Sequence, residues 1–202
     1  MIRAMKPAIA GALVITTLAG CQRENRGYAG GTLDTSRLPG ESASPSATMA
    51  RTAFSSPAIL GFGAIANNTE IQLGKLAEMK ATNPDVKAFA HLMVSDHQAM
   101  LDDTKRLAAK LGTVLDTTAE ATTDLANDAR DELRKLADKA SGRDWDEDYM
   151  EAMVEGHEKV LNHLQEAAKN TNSAEVRSAL DAAAMKVQSH LARAREIKAK
   201  ID

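Results

Sequence analysis

Apolar residues recur at intervals of three and four along four long segments of this chain, and no other feature constrains the fold as strongly. Positions i, i+3, i+4 and i+7 share one face of an α-helix, so each segment predicts a helix with one core-facing stripe. The stripes are Ile59, Phe62, Ala66, Leu73 and Ala77; Val86, Phe89, Met93, Leu101 and Ala108; Met150, Met153, Val160, Leu161, Leu164 and Ala168; and Val176, Leu180, Ala183, Val187, Ala194 and Ile197. Four such stripes predict a four-helix core.

Capping residues divide the chain after residue 55 into five predicted helices. Asn83 before Pro84 is a typical helix start, because the asparagine side chain caps free amide groups and proline has no N–H to leave unpaired. Ser173 is predicted to cap the last helix. Sequences that resemble capping boxes begin at Thr117 and Asp144. The predicted ranges are 57–81, 85–111, 118–140, 145–170 and 174–200. Residues 118–140 have the weakest stripe, so we expect a crossover helix beside the bundle.

Composition agrees with an all-α fold and excludes several partners. Aromatic residues make up only 3% of the 202 residues, whereas sheets favour aromatic and β-branched side chains. The net charge is −3, so the chain offers no basic field to nucleic acid. A single cysteine excludes an internal disulfide and a cysteine-based zinc cage. That cysteine requires another explanation.

The first 20 residues have the layout of a secretory signal. Two positive charges, Arg3 and Lys6, precede an apolar run that is shorter than the roughly 20 residues needed to span a bilayer. The four residues Leu-Ala-Gly-Cys that end at Cys21 resemble a bacterial lipobox. We therefore predict cleavage after residue 20, lipid on Cys21 and attachment to a membrane through that lipid. Gln22 stands where aspartate is associated with inner-membrane retention, so the prediction is a periplasm-facing lipoprotein of the cell envelope, preferably at the outer membrane.

Residues 21–55 are predicted to form a lipidated, disordered tether. They are rich in Gly, Ser, Thr and Pro, and they contain few large apolar residues. A flexible chain of this length spans about 30 Å on average. The folded domain, residues 56–202, would therefore stand clear of the membrane.

Ionisable residues interrupt the apolar stripes of the four long helices. They are Glu70, His97, His157 and His190. Each lies three or four residues from apolar neighbours on both sides, so its side chain is expected to point inward. Each also lies within about 5 Å of its helix midpoint, at 1.5 Å per residue, and the four should therefore meet at one level. The other two histidines, His91 and His163, lie off the stripes and are predicted at the surface or the rim.

These four residues predict either a metal site or a polar network. Burying a carboxylate and three imidazoles without partners costs several kcal/mol, so they must bind one another or a ligand. Three imidazole nitrogens and a carboxylate oxygen suit one divalent transition metal, namely zinc, iron, manganese or copper. A metal-free network satisfied by hydroxyl groups, carbonyl groups or water is an equal alternative.

Residues near the four candidates have supporting roles in this prediction. Asp96 adjoins His97 but points about 100° away around the helix, so at most it supports a neighbouring ligand. Met93 and Met153 are expected to fill the core, although Cu(I) would be favoured if their thioethers joined the histidines. Haem is a weaker alternative, because the chain has no Cys-x-x-Cys-His attachment motif.

Two motifs resemble those of a bacterial domain of unknown function, number 4142, and the resemblance covers residues 56–201. One is the Met-Val-x-Asp-His run that ends at His97, and the other is the Gly-x-x-Trp-Asp-x-x-Tyr run that ends at Tyr149. The resemblance implies a ferritin-like four-helix bundle in an exported or outer-membrane-associated protein, and it brings no established reaction. Trp145 and Tyr149 are interpreted as packing against the crossover helix.

The chain departs from di-iron ferritins at the positions where those proteins carry glutamate. Val94, Val154 and Val187 stand three residues before the three stripe histidines. The carboxylate-rich di-iron site is therefore missing, and we expect a mononuclear site or none.

Three functions remain open at the level of sequence. The first is a metal-binding envelope lipoprotein with Glu70, His97, His157 and His190 as ligands, acting in metal handling or a stress response. The second is a structural or interaction lipoprotein whose polar cluster only specifies helix register. An oxidase or hydrolase ranks last, because four ligands fill a tetrahedral site and the sequence shows no separate acid, base or nucleophile set.

Overall fold

The computed structural model describes residues 53–202, and these residues form five α-helices. The helices are α1 (Ser56–Lys80), α2 (Pro84–Lys110), α3 (Glu120–Asp138), α4 (Arg143–Asn170) and α5 (Ala174–Ile201). No strand occurs within residues 53–202, so the predicted all-helical bundle is confirmed, with every boundary within two residues of its prediction. The predicted export signal, Cys21 and residues 21–52 of the tether lie outside the described residues. Within the described helices, no stretch is long and apolar enough to cross a membrane.

Two of the predicted helix caps are present. The Asn83 side-chain oxygen accepts hydrogen bonds from the backbone amides of Asp85 and Val86, at 2.8 and 3.4 Å. The Ser173 hydroxyl accepts one from the amide of Val176 at 3.2 Å. All three bonds satisfy first-turn amides that have no partner inside their helix.

The two predicted capping boxes are wrong. Helix α3 begins after Ala119 and α4 begins after Gly142, and neither start has a side-chain cap. Near the first, the Asp116 carboxylate instead accepts from the amide and hydroxyl of Thr118, a local turn that competes with capping. Near the second, the carbonyl group of Gly142 accepts from the amide of Trp145, and the helix therefore starts before the expected box.

The core contains two large apolar clusters separated by a polar layer, and a third, small cluster of Ala64, Ile71 and Leu101. Cluster A comprises buried residues such as Leu73, Phe89, Met93, Leu136, Trp145, Tyr149, Met153 and Ile197. Cluster B comprises buried residues such as Ile59, Leu164, Val176, Leu180 and Val187. Along α4, Met153 belongs to cluster A, His157 follows, and Val160 packs against cluster B. The stripe histidines therefore lie between two apolar regions.

Hydrogen bonds attach α3 to the end of the bundle that contains cluster A. The indole Nε1 of Trp145 donates to the Leu136 carbonyl at 2.8 Å, so Trp145 packs on α3. The Lys80 ammonium group donates to the carbonyls of Leu136 and Lys139 at 3.2 and 2.6 Å. A cation at this position satisfies carbonyls that the end of α3 leaves without partners.

A buried carboxylate fixes the connection between α1 and α2. Asp146 accepts hydrogen bonds from the amide and hydroxyl of Thr82, at 3.0 and 2.6 Å, and from the amide of Asn83 at 2.8 Å. These charge-assisted bonds join the α1–α2 turn to the first turn of α4. The relative positions of three of the long helices are thereby set at one end of the bundle.

Candidate metal centre

Three histidines from three helices converge in the polar layer. His97 of α2, His157 of α4 and His190 of α5 have exposed fractions of 4%, 2% and 1%. One ring nitrogen of each lies within 4.8 Å of one from each of the others. Their ring centroids are 5.1 to 5.8 Å apart. The prediction that these three side chains meet at one level is confirmed.

One nitrogen of each ring donates a hydrogen bond to an oxygen outside the group of three. His97 Nδ1 donates to the Asn67 side-chain oxygen at 2.9 Å, and His157 Nδ1 donates to the Met153 carbonyl at 2.8 Å. His190 Nε2 donates to a carboxylate oxygen of Asp96 at 2.8 Å. Since these oxygens accept, the bonded ring nitrogen carries the proton in each case. The asparagine orientation is fixed by its own amide, whose nitrogen donates to the Gly63 carbonyl at 2.7 Å.

The opposite nitrogen of each ring is free. His97 Nε2, His157 Nε2 and His190 Nδ1 are buried, and none has a hydrogen-bond partner among residues 53–202. With the proton on the other nitrogen, each is a bare acceptor with its lone pair in the plane of the ring. Buried acceptors without partners are rare in folded proteins and require an explanation.

Burial keeps two of these rings neutral near pH 7. It is the main cause that lowers the pKa of His97 to about 3, and the neighbouring His157 and His190 lower that pKa further. Burial also lowers the pKa of His190, although its hydrogen bond to Asp96 opposes the shift. A neutral imidazole is the form that binds a metal ion, so the local electrostatics prepare both rings as ligands.

Glu70 lies beside this group rather than within it. Its Oε1 is 3.7 Å from His157 Nδ1, the nitrogen that already donates to the Met153 carbonyl. Its Oε2 is buried and has no partner in the described part of the chain. Burial raises the pKa of Glu70, and His157 partly offsets that rise. The structure therefore brings together three of the four predicted ligands and places the fourth against the outer side of one of them.

Asp96 lies outside the three rings and connects His190 to a lysine. Its carboxylate accepts from His190 and forms an ion pair with Lys186 of α5 at 3.3 Å. Burial raises the pKa of Asp96, but the hydrogen bonds from His190 and Lys186 outweigh this effect and hold the pKa below its ordinary value. A carboxylate behind a histidine fixes the ring orientation and makes the far nitrogen more basic.

Sequence reasoning missed Asn67 and Lys186. Asn67 lies three residues before Glu70 on α1, and so on the same face of that helix. This spacing was the signal from which an inward position of Asn67 could have been predicted. Lys186 lies four residues before His190 on α5, but lysine spacing alone does not distinguish a partner of a buried carboxylate from an ordinary surface residue.

The predicted accessory residues belong to cluster A. The Met93 and Met153 side chains are fully buried there, and Met153 contributes its backbone carbonyl to His157. The Tyr149 ring stacks on Trp145 at a centroid distance of 5.4 Å, and its hydroxyl group is buried without a partner among the described residues.

The remaining two histidines lie away from the centre. His91 is exposed and its Nδ1 is 2.7 Å from a carboxylate oxygen of Glu78, which confirms the predicted surface position. His163 is half-buried, and its ring stacks on Phe62 at a centroid distance of 3.8 Å. Burial lowers the pKa of His163.

A cavity of about 850 Å³ reaches the histidine group from the side of cluster B. Asn67, Glu70, His97 and His157 line its inner end. Two of the three converging histidines are therefore accessible to a small molecule inside the protein.

A family profile described as "Domain of unknown function (DUF4142)" matches residues 41–197. Searches of curated proteins and of solved structures each found no match. The profile covers all but the last few residues of the five helices and includes all three converging histidines. The chain therefore belongs to the DUF4142 family of domains of unknown function.

Proposed function

We propose that this protein binds one divalent transition metal ion through His97, His157 and His190. The observation that carries the proposal is the set of three buried, unprotonated ring nitrogens that lack partners within residues 53–202. Zinc, copper and iron all accept imidazole nitrogen as a ligand. The metal is the group that satisfies all three acceptors at once.

The geometry fits such an ion after a small movement of the rings. Nitrogen ligands around tetrahedral zinc lie about 3.4 Å apart, given bond lengths of 2.0–2.1 Å. Each ring offers a nitrogen within 4.8 Å of one from each of the others, so ring movements of up to about 1.4 Å produce that arrangement. Three converging lone pairs repel one another, and a cation between them would remove that repulsion.

The partners of the outer nitrogens also favour metal binding. Asn67, the Met153 carbonyl and Asp96 each hold one ring in the tautomer that leaves a lone pair free. Histidine ligands in metalloproteins are held in the same way, by a carboxylate, carbonyl or amide oxygen on the far nitrogen. Three histidines also leave a fourth coordination position for a water molecule or another ligand.

The alternative of a metal-free polar network accounts less well for the same atoms. The three free nitrogens are all acceptors, so they cannot donate to one another. A single bridging water has two protons and satisfies two of the three, which leaves one buried acceptor at a cost of about 1–3 kcal/mol. The metal-binding proposal leaves no nitrogen unsatisfied.

Metal analysis of matched histidine variants tests the proposal. The purified full chain is expected to contain close to one equivalent of transition metal, or to take up one equivalent of added Zn²⁺ or Cu²⁺. His97→Ala should abolish this binding and the thermal stabilisation that the metal confers. His91→Ala is the matched control, because His91 lies on the same helix and is exposed. A chain that neither contains nor takes up metal, or a His97→Ala variant that binds as the wild type does, would refute the proposal.

We further propose a ferritin-like arrangement in which α1, α2, α4 and α5 form the four-helix core and α3 is the crossover. In support, only Thr122 and Leu136 of α3 are buried, whereas the other four helices each contribute at least seven buried residues. The valines at positions 94, 154 and 187 stand where di-iron ferritins carry glutamate, three residues before each histidine. A mononuclear site of this kind suits metal handling or a metal-related stress response better than ferroxidase chemistry.

We also propose that the chain is an envelope lipoprotein anchored through lipid on Cys21, preferably at the outer membrane. The support is the signal-like segment and the lipobox-like residues that end at Cys21. Mass spectrometry of the protein from a bacterial host should show loss of residues 1–20 and the mass of acyl chains on Cys21. Cys21→Ser should leave an unacylated chain, and an acyl-free mature protein with Cys21 intact would contradict the proposal.

A further inference from the structure

The 850 Å³ cavity has the shape of a long slot beside cluster B. Its wall extends from His97 to Lys110 on α2 and from Ala174 to Val187 on α5. Each stretch corresponds to about 20 Å at 1.5 Å per residue. The slot is therefore long enough for an extended chain.

Most of the slot wall is apolar. The apolar wall residues come from four helices and include Leu60, Phe62, Met100, Leu107, Val160, Leu164, Val176, Leu180 and Val187. Small-molecule sites commonly combine such a wall with a few polar groups at one end. Here the polar groups are those of Asn67, Glu70, His97 and His157, at the inner end.

The slot opens to solvent between α2 and α5. The exposed residues of its wall lie on these two helices, among them Asp103 on α2 and Ser178, Ala179 and Ala182 on α5. Small side chains on α5 leave the opening clear. A ligand can therefore enter from the side and reach the histidines without unfolding the bundle.

We propose that the slot binds a long-chain carboxylate, with its hydrocarbon chain along cluster B and its carboxylate on the metal held by the three histidines. The carboxylate part of this inference rests on the proposed function. Three histidines leave a coordination position for an oxygen ligand, and His97 and His157 line the slot at that point. A purely apolar ligand would leave this position unfilled, whereas an anion is attracted to the cation there.

Charged side chains lie at both ends of the slot, with Glu70 at the inner end and Lys110 and Glu175 at the other. Lys186 lies on the wall close to the histidines, through its contact with Asp96. Asp103, an acidic group near the opening, is already paired with Arg106. Burying each methylene of the chain is favourable by about 0.8 kcal/mol, so chain length should contribute strongly to binding.

Fluorescence titration of the purified full chain with Cys21→Ser, which carries no lipid of its own, tests the slot in detergent-free buffer. The probe is parinaric acid, a fluorescent fatty acid, displaced by palmitate, and the metal content is measured first. Ala179→Trp and Ala183→Trp place large side chains on the slot wall and should weaken palmitate binding at least about tenfold, a change of about 1.4 kcal/mol. Ala192→Trp is the matched control, because Ala192 is exposed on the same helix and is not part of the wall. Thermal unfolding verifies that each variant is folded.

The position of the carboxylate is tested separately. Palmitate should bind the metal-loaded protein at least about tenfold more tightly than hexadecanol does, and removal of the metal should abolish that difference. Wild-type affinity in folded Ala179→Trp and Ala183→Trp variants would overturn the slot assignment. A stoichiometric metal content without palmitate binding would overturn this inference and leave the proposed function intact. Palmitate binding to a chain that holds no metal would overturn the proposed function and the metal-bound carboxylate together.

Discussion

Replacing Asn67 with alanine is expected to weaken metal binding although Asn67 is not a proposed ligand. Its side-chain oxygen is the acceptor for the His97 Nδ1 proton, and the asparagine is 5% exposed. Without that acceptor, the proton is free to move to Nε2, the nitrogen that the metal needs. Loss of such a partner typically reduces metal affinity about 10- to 100-fold, or about 1.4–2.7 kcal/mol.

Asn67→Ala should also destabilise the metal-free protein. A buried N–H that loses its acceptor costs about 1–3 kcal/mol. The Gly63 carbonyl, which now accepts from the asparagine amide, remains within the helical hydrogen-bond pattern of α1. The expected loss of stability is therefore that of one unsatisfied donor, and the loss of metal affinity comes in addition to it.

Competition with a chromophoric chelator at neutral pH measures the affinity for Zn²⁺, and urea unfolding of the metal-free protein measures stability. Asn127→Ala is the control, because Asn127 accepts from Arg130 on the exposed face of α3 and should change neither quantity. If Asn67→Ala bound zinc as tightly as the wild type while His97→Ala bound none, Asn67 would not set the tautomer of His97. The hypothesis that the partner of one ring nitrogen determines which nitrogen is free to bind metal would then be refuted.

Gly61→Ala should destabilise the protein by about 1–3 kcal/mol in urea unfolding, since its Cβ would lie 1.9 Å from the Asp116 carbonyl oxygen. Gly63→Ala, whose Cβ would approach nothing closer than 3.8 Å, should stabilise it by about 0.5–1 kcal/mol, and equal effects at both positions would contradict the close approach. Burial lowers the pKa of His163 from its ordinary 6.5, so the unfolded chain takes up a proton there first and stability falls as the pH drops below 6.5. His163→Phe should remove part of that loss between pH 7 and pH 5, and an unchanged pH dependence would exclude His163 as a contributor. Asp146→Ala should lower the free energy of urea unfolding by about 3 kcal/mol, because three donors lose a charged acceptor. A decrease of less than about 1 kcal/mol would show that water replaces the carboxylate.

Apolar periodicity and capping residues together were sufficient to predict the five helices, and periodicity predicted the inward direction of the three histidines. Helical spacing is a local property, so a residue three or four positions from apolar neighbours shares their face whatever the rest of the chain does. The capping boxes at Thr117 and Asp144 were mispredicted because several nearby polar groups can satisfy a first-turn amide. The choice among them depends on loop geometry that sequence spacing does not specify.

The position of Glu70 required contacts between helices. Its spacing on α1 predicted burial, and the structure places it within the core, beside His157 Nδ1. Whether it faces the shared centre or the outer side of a ring depends on the rotation of α1 relative to α4. That rotation is set by packing of cluster A and cluster B, which involves residues far apart in the chain.

The sequence by itself determined which residues are helical, which faces are apolar, and that three histidines lie inward at one level. These properties follow from the period of the helix and from residue type. Only the tertiary structure decided which nitrogen of each histidine is free, because the proton follows acceptors contributed by Asn67, Asp96 and the Met153 carbonyl. It also decided that a slot reaches His97 and His157, since a cavity is the space that side chains from four separate helices leave unfilled.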